Sequence, residues 1–219
     1  MSQTPSHAEA HRHCQSLQTA LQRLRAQGLD RLAHWGHRLA DVLPAGGRLL
    51  AAGNGGSAAQ AQHLTAELVG RYREERAAYS AIALHAETSS VTAIGNDYGF
   101  ENVFARQVAA HGRAGDVLIL LSTSGRSGNL LSAAMTARAT GVEVWALTGA
   151  SPNPLAEAAD QALCIDAAAT ATVQEAHLVA VHLLCESFDA AVAASAATAR
   201  RAAGVRRPPN GVEALKGAP

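Results

Sequence analysis

Five short apolar runs, each followed by a turn and a stretch with helical character, constrain the fold of this chain more than any other feature. They are RLLAA at 48–52, AIAL at 81–84, VLILLS at 117–122, VEVWALTG at 142–149 and ALCID at 162–166. Runs of this kind are typical of parallel strands buried on both faces, and parallel strands need crossover connections. The sequence therefore predicts one α/β domain whose five-stranded parallel sheet is flanked by helices on both faces.

The segments around these runs complete the predicted organisation. Leucines at helical spacing predict one or two amphipathic helices within residues 1–44. The apolar faces of these helices must cover an apolar surface, either of their own domain or of a neighbouring subunit. The α/β domain is predicted over 45–198, with a long last helix from about 172 to 198. Residues 85–99 are predicted to be turn-rich, and the Pro/Gly-rich, polar segment 199–219 is predicted to be a disordered tail.

Charge and cysteine usage narrow the possible partners and the compartment. Eighteen basic residues balance eighteen acidic residues, so there is no overall electrostatic case for binding nucleic acid or an anionic membrane. Three scattered cysteines do not form a disulfide framework, and no apolar run is expected to reach membrane-spanning length. The polar N-terminus lacks the apolar core of a signal peptide. We therefore expect a cytoplasmic protein with free thiols.

A glycine loop, GNGGSAA at 53–59, follows the first apolar run. Glycines let a backbone turn sharply and approach a ligand closely, Ser57 can cap the next helix, and free N–H groups there attract an anion. Gly53, Gly55 and Ala58 also match a loose dinucleotide fingerprint. That alternative lacks the acidic residue at the end of the second strand, because Glu74 and Glu75 lie in a charged run before that strand.

A hydroxyl-rich loop, Ser122-Thr123-Ser124-Gly125-Arg126-Ser127, follows the most apolar run. Four hydroxyls at the entry to a helix suit a phosphate, since they stand beside free backbone N–H groups. One hydroxyl would be enough for a helix cap, and the P-loop pattern is absent. The loop therefore predicts a phosphate site.

Two helices carry the remaining chemistry. His63 and Glu67 are four residues apart and share a helix face near the glycine loop. Gln174, His177 and His182 lie on the last long helix, and Gln174 and His182 are separated by about two turns. Imidazole and carboxylate groups bind divalent metals or move protons, although most histidines in a protein do neither.

Four motifs occur in order along the chain: GNGGSAAQAQHLTAEL, TAIGNDYG, LLSTSGRSGN and VQEAHLVAVHLLCE. With these motifs the chain resembles the sedoheptulose-7-phosphate isomerases (phosphoheptose isomerases) of the sugar-isomerase (SIS) domain superfamily. The resemblance covers roughly residues 45–189. It implies a single SIS-type domain that converts D-sedoheptulose 7-phosphate to D-glycero-D-manno-heptose 7-phosphate, in a homotetramer with sites between subunits.

The same resemblance implies roles for particular residues. Its substrate contacts fall on Asn54, Gly55, Gly56, Ser57, Glu67, Asn96, Asp97, Ser122, Thr123, Ser124, Ser127 and Gln174. One zinc ion per subunit is implied at His63, Glu67, Gln174 and His182, and the acid/base pair corresponds to Glu67 and His182. Arg126 stands where Asn or Lys is common in the family, and a cation beside a phosphate is harmless or helpful there.

Three alternatives stay open at this point. One is a non-catalytic SIS protein that binds the replication initiator. In the relative of that kind, the positions that match Glu67 and His182 are occupied by Ser and Asn. Another is a phosphosugar-sensing regulatory domain, which needs the serine loop but neither of those two residues. The third is an isomerase for a different sugar phosphate. Both catalytic residue types are present, which favours an enzyme.

Overall fold

The computed structural model describes residues 7–202, and they form a three-layer α/β domain. The strands are β1 (Leu49–Gly53), β2 (Ala81–Ala83), β3 (Val117–Ser122), β4 (Glu143–Thr148) and β5 (Gln161–Cys164). The helices are α1 (His7–Gln27), α2 (Leu29–Val42), α3 (Gly56–Val69), α4 (Thr88–Tyr98), α5 (Ala105–His111), α6 (Gly128–Ala139), α7 (Pro154–Ala158) and α8 (Thr170–Ala202), with a 3₁₀ helix at Phe100–Asn102. All strand pairs are parallel, in the order β2-β1-β3-β4-β5. The predicted fold class is confirmed.

Successive strand residues face opposite sides of the sheet, so the apolar strands build two cores. Leu49 and Ala51 pack into a core completed by α1, α2, α3 and α8. Leu50 and Ala52 pack into a second core completed by α5, α6 and α7. β1 and β3 are buried along their whole length, because both of their faces are covered. The N-terminal helices therefore belong to the same domain as the sheet.

Two tryptophans join α2 to the sheet. The rings of Trp35 and Trp145 stack in parallel with their centroids 4.8 Å apart, and both side chains are fully buried. Their indole N–H groups donate to Gln161 and Glu143 respectively. Each buried ring thus has a partner for its one polar atom, which allows full burial.

The prediction of a turn-rich segment between β2 and β3 was wrong for residues 88–98, which form α4. The Glu87 side chain accepts hydrogen bonds from the backbone N–H groups of Ser89 and Ser90 and so begins the helix. Gly99 ends it with φ of 81°, a backbone conformation that other residues rarely adopt. The turn residues marked the end of a helix rather than an irregular segment.

α8 is long and apolar enough to cross a membrane, with a mean hydropathy of 1.5 over 18 residues. The helix is thus an exception to the expectation that no apolar run reaches membrane-spanning length. Such evidence is weak, because core helices have the same composition, and the buried side of α8 packs in the core with α1, α2 and α3. The helix ends at Ala202, inside the predicted tail, whose residues 203–219 lie outside the described part of the chain.

All three cysteines are free, as predicted. Cys14 is exposed, Cys164 is partly buried and Cys185 is buried. Burial raises the pKa of the Cys185 thiol to about 12, so this thiol stays protonated at neutral pH.

His177 is a fully buried histidine on α8. Its Nε2 lies 3.0 Å from the carbonyl oxygen of Thr148, at the end of β4. Since a carbonyl oxygen only accepts, Nε2 carries the proton of a neutral ring. Nδ1 has no hydrogen-bond partner among residues 7–202, and burial lowers the pKa of His177 to about 4.

This burial predicts an acid-sensitive fold. Between pH 6.5 and 4 the unfolded chain binds a proton at His177 that the folded chain does not, so the free energy of unfolding falls as the pH drops through this range. The loss is on the order of 3 kcal/mol. Urea unfolding at several pH values will measure it, and a His177→Gln variant should show a smaller slope. Burial also lowers the pKa of His85, so the variant is needed to isolate His177. An unchanged slope in the variant would contradict the assignment.

Candidate active site at the β1–β3 switch point

The order of the strands places a crevice between the ends of β1 and β3. From β1 the chain moves to one side, to β2, and from β3 it moves to the other side, to β4. Ligands of open parallel sheets bind where the strand order reverses in this way. Gly53 pairs in register with Leu121, so the glycine loop and the serine loop leave the sheet at the same level.

The glycine loop is held close to the helix that it begins. A Cβ atom on Gly53 would lie 2.6 Å from backbone atoms of Ser57, so only glycine fits there. Gly55 has φ of 55° and is the N-cap residue of α3, without a side-chain cap. The expectation that Ser57 caps this helix was wrong, because α3 already begins at Gly56 and the Ser57 side chain is buried within it.

Asn54 ties the two loops together. Its side-chain amide exchanges two hydrogen bonds of 2.9 Å with the amide of Asn129, on the first turn of α6. Asn129 is 3 % exposed, so this pair is sheltered from water. Sequence reasoning assigned Asn54 to the substrate and missed Asn129, because a single asparagine inside a helix gives no signal of a partner 75 residues away.

The serine loop uses some of its hydroxyls to hold its own shape. Ser122 accepts a hydrogen bond from the N–H of Gly125, and Ser124 accepts one from the N–H of Arg126. Ser127 is the N-cap residue of α6, yet its side chain makes no capping hydrogen bond. The first turn of α6 therefore keeps backbone N–H groups available for an anion.

Two further side chains, both missed by sequence reasoning, pack against this loop. The Asn153 amide lies where a Cβ on Gly125 would be, and it also caps α7 and donates to Thr148. The Glu101 carboxylate packs against Gly128, at the start of α6. A negative charge is stabilised at that position by the helix dipole. Gly125, with φ of 62°, is thus required by the close approach of Asn153, whereas the contact at Gly128 involves the flexible end of Glu101.

Three of the predicted residues form a row between α3 and α8. His63 Nε2 lies 3.4 Å from Glu67 Oε1 and 2.9 Å from His182 Nε2. Two imidazole nitrogens at 2.9 Å share one proton, so one ring donates and the other accepts. The Glu67 side chain is only 18 % exposed, and this places a carboxylate in a partly dehydrated setting beside two rings.

His182 is enclosed by a second ring. Tyr72 stacks on it with centroids 5.7 Å apart and 29° between the planes, while His63 meets it edge-on. The guanidinium of Arg73 lies 5.0 Å from the centroid of the Tyr72 ring. Tyr72 was also missed from the sequence, because it lies in the charged run after α3 and its contact with α8 is created by the fold.

Gln174 lies apart from this row. Its side-chain amide packs directly against Gly56, at the first residue of α3, and its backbone oxygen accepts from Gln60 at 2.6 Å. Gly56 and His63 are seven residues apart on α3, a rise of about 10 Å. The structure therefore places Gln174 beside the glycine loop, and places the three-residue row two turns further along the helix.

Asn96 and Asp97 lie at the end of α4, where both are exposed. The Asn96 amide donates to the Asp97 carboxylate at 2.8 Å, and neither side chain has another hydrogen bond or ion pair among residues 7–202. Within a single chain the structure does not bring this pair to the loops or to the row.

The fit of the row to a metal ion is partial. Among residues 7–202, no group of three or more His, Cys, Asp and Glu side chains is arranged as a metal site. The donors suit zinc chemically, and tetrahedral zinc ligands lie about 3.3 Å from one another, close to the 2.9 and 3.4 Å seen here. However, Glu67 contacts His63 and makes no ion pair with His182, so the three donors lie in a row and not around a common centre.

Comparisons with known proteins identify the family of this chain. The family model of the SIS domain matches residues 12–149. The phosphoheptose isomerase of Streptomyces coelicolor is 69 % identical over 180 residues, which cover 82 % of this chain and 78 % of that protein.

Solved structures extend the comparison to the fold. A phosphoheptose isomerase from Francisella tularensis superposes with a TM-score of 0.79 at 35 % identity, over 85 % of this chain and 99 % of that one. The phosphoheptose isomerase from Neisseria gonorrhoeae gives a TM-score of 0.73 at 38 % identity, over 84 % and 96 % of the two chains. From sequence and fold together, the chain belongs to the SIS domain family and, within it, to the phosphoheptose isomerases.

Proposed function

We propose that this enzyme converts D-sedoheptulose 7-phosphate to D-glycero-D-manno-heptose 7-phosphate through an enediol. The observation that carries the proposal is the row of Glu67, His63 and His182 between α8 and α3, the helix that begins at the glycine loop. In aldose–ketose isomerisation the carbonyl group shifts from one carbon to the adjacent carbon, and a proton moves between the same two carbons in the other direction. The reaction therefore needs a base, an acid and stabilisation of the developing charge. The row supplies the first two.

The phosphate of the substrate is assigned to the serine loop. Ser127, the N-cap residue, makes no side-chain capping hydrogen bond, which leaves backbone N–H groups of α6 for the phosphate oxygens. The phosphate competes there with the Glu101 carboxylate, which packs against Gly128. Arg126 is exposed beside them and adds positive charge. Binding energy at this distant group positions the reacting carbons, because the phosphate itself does not react.

Glu67 is assigned as the base and His182 as the group that serves the oxygen or returns a proton. His63 Nε2 contacts both Glu67 and His182, so His63 lies between the two groups. Removing a proton from carbon requires a carboxylate that is held and partly dehydrated, which is the state of Glu67. Tyr72 fixes the plane of the His182 ring from the other side.

A zinc ion held by His63, Glu67 and His182, with Gln174 if its side chain turns from Gly56, is part of the proposal. When bound, zinc polarises carbonyl and hydroxyl oxygens as a Lewis acid. A carboxylate bound through its reactive oxygen is a poor base, so the zinc role and the base role of Glu67 compete for the same atoms.

Assembly and compartment complete the proposal. We infer a cytoplasmic homotetramer that takes a sugar phosphate and binds neither nucleic acid nor membrane. None of the eleven residues of α4 is buried, although the helix carries Val91, Ile94 and Tyr98. Ile94 packs against the second core, but Tyr98 stays 51 % exposed, and an apolar side chain left in solvent favours a partner subunit. The free cysteines agree with a reducing compartment.

The first prediction of this proposal concerns turnover. The parent protein, incubated with sedoheptulose 7-phosphate in D₂O, should form the heptose 7-phosphate, which chromatography separates from its isomer, with solvent deuterium at the carbon that receives the proton. Glu67→Gln should lower kcat about 100-fold or more, because an amide cannot take the proton. Glu75→Gln, at a side chain that is 90 % exposed, is the matched control and should keep parent activity.

The result also separates the alternatives. A parent protein that turns over only another sugar phosphate is an isomerase of different specificity. A parent that turns over no sugar phosphate, with or without zinc, overturns the proposal in favour of initiator binding or phosphosugar sensing, for which binding assays then decide.

A second prediction concerns Tyr72. Tyr72→Leu should lower kcat about fivefold, since an aromatic stack contributes about 1 kcal/mol, while KM should change little. Tyr72→Phe should keep nearly the parent kcat because it keeps the ring. Steady-state kinetics of both variants measure this. Equal losses in the two variants would assign the role to the hydroxyl group instead of the stack.

A third prediction concerns zinc. Chelator-treated protein should bind one zinc ion per subunit, and its melting temperature should rise on binding. His63→Gln should abolish both effects, whereas His37→Gln, at an exposed histidine on α2, should leave them intact. Metal analysis after gel filtration and thermal unfolding provide readouts that do not depend on activity. Parent protein that retains no zinc would contradict the zinc assignment.

A further inference from the structure

Arg76 lies in the segment after α3, and its side chain is only 9 % exposed. Its guanidinium donates to backbone oxygens at the end of α3: Glu67 at 2.6 Å, Leu68 at 3.1 Å and Gly70 at 3.4 Å. The last carbonyl groups of a helix have no partner within the helix, and a cation there is favoured by the dipole. Arg76 therefore caps the helix end that carries Glu67, through the carbonyl of Glu67 itself.

The same guanidinium is bound to the other catalytic helix. Arg76 Nε lies 2.7 Å from Asp189 Oδ1, and the Asp189 side chain is 16 % exposed. Asp189 follows His182 by seven residues on α8, which is two turns along one face. The other carboxylate oxygen of Asp189 has no hydrogen-bond partner among residues 7–202, so Arg76 is its main compensation.

Aromatic rings fix the remaining sides of the arginine. Its guanidinium carbon lies 5.4 Å from the ring centroid of Tyr79 and 5.3 Å from that of Phe188, and the two rings meet edge-on. Phe188 is fully buried next to Asp189 on α8. An arginine that is stacked, ion-paired and bonded to three carbonyls has little freedom to move.

We propose that Arg76 and Asp189 are positioning residues for the isomerisation. Together they hold the end of α3 at a fixed place along α8, and this fixes Glu67 relative to His182. The inference rests on the proposed function. It follows from the geometry because Glu67 has no direct bond to His182, so their relative position depends on how the two helices are held. A displacement of about 1 Å at reacting groups costs up to 100-fold in rate.

Lysine and asparagine substitutions test this role. Arg76→Lys keeps the charge but cannot reach Asp189 and several carbonyls at once, and Asp189→Asn keeps the shape but loses the ion pair. The control is Arg38→Lys, because Arg38, on α2, forms an ion pair of 2.9 Å with Glu143, at the start of β4. This pair is more exposed than that of Arg76 and Asp189.

Each of the two site variants should lower kcat about tenfold or more while KM changes less than about twofold, because the phosphate contacts are untouched. The double variant should be no slower than the slower single variant, since both break one contact network. Arg38→Lys should keep the parent kcat. All rates are measured well below the melting temperature of each variant.

Two results would overturn the inference. Folded variants with kcat within about twofold of the parent would show that the pair acts only on stability, as would two variants that both fail to fold. If only Arg76→Lys fails to fold, the kcat of Asp189→Asn alone tests the positioning role. A parent that does not isomerise the substrate would instead refute the proposed function, so the two failures are distinguished in the same assay.

Discussion

β1 and β3 lie side by side and run parallel, with Leu49 opposite Val117 and Gly53 opposite Leu121. Their burial on both faces requires helices on both sides of the sheet, and the parallel direction makes both strands end at the same edge. The glycine loop and the serine loop begin there, and the amide pair of Asn54 and Asn129 joins them. The active site thus depends first on one strand pairing.

The second requirement is the packing of α3 against α8. The start of α3 is fixed by the sheet, through the close approach of Gly53 to Ser57 and of Gln174 to Gly56. The far end, where Glu67 lies next to the buried Leu68, has a separate set of contacts. The arginine–aspartate pair with its two flanking rings supplies these contacts, so the same two helices are joined at both ends.

The phosphate loop and the catalytic row differ in how they are built. The loop consists of backbone N–H groups and short hydroxyl side chains held by local hydrogen bonds, and it is braced by Asn153. The row consists of long side chains from two helices that are far apart in sequence. The proposed anion site therefore rests on a local motif, whereas the proposed acid/base groups depend on tertiary packing.

The sequence by itself determined the sheet, its helical cover and the identity of the two loops, because apolar runs, glycines and hydroxyls act through local backbone geometry. It also placed His63, Glu67 and His182 near the site through helical spacing and family resemblance. It missed α4, since the cap of Glu87 was hidden among turn residues. Only the tertiary structure decided the contacts of Asn129, Tyr72, Arg76 and Asp189, because each has a partner distant in sequence, and no local pattern records a contact of that kind.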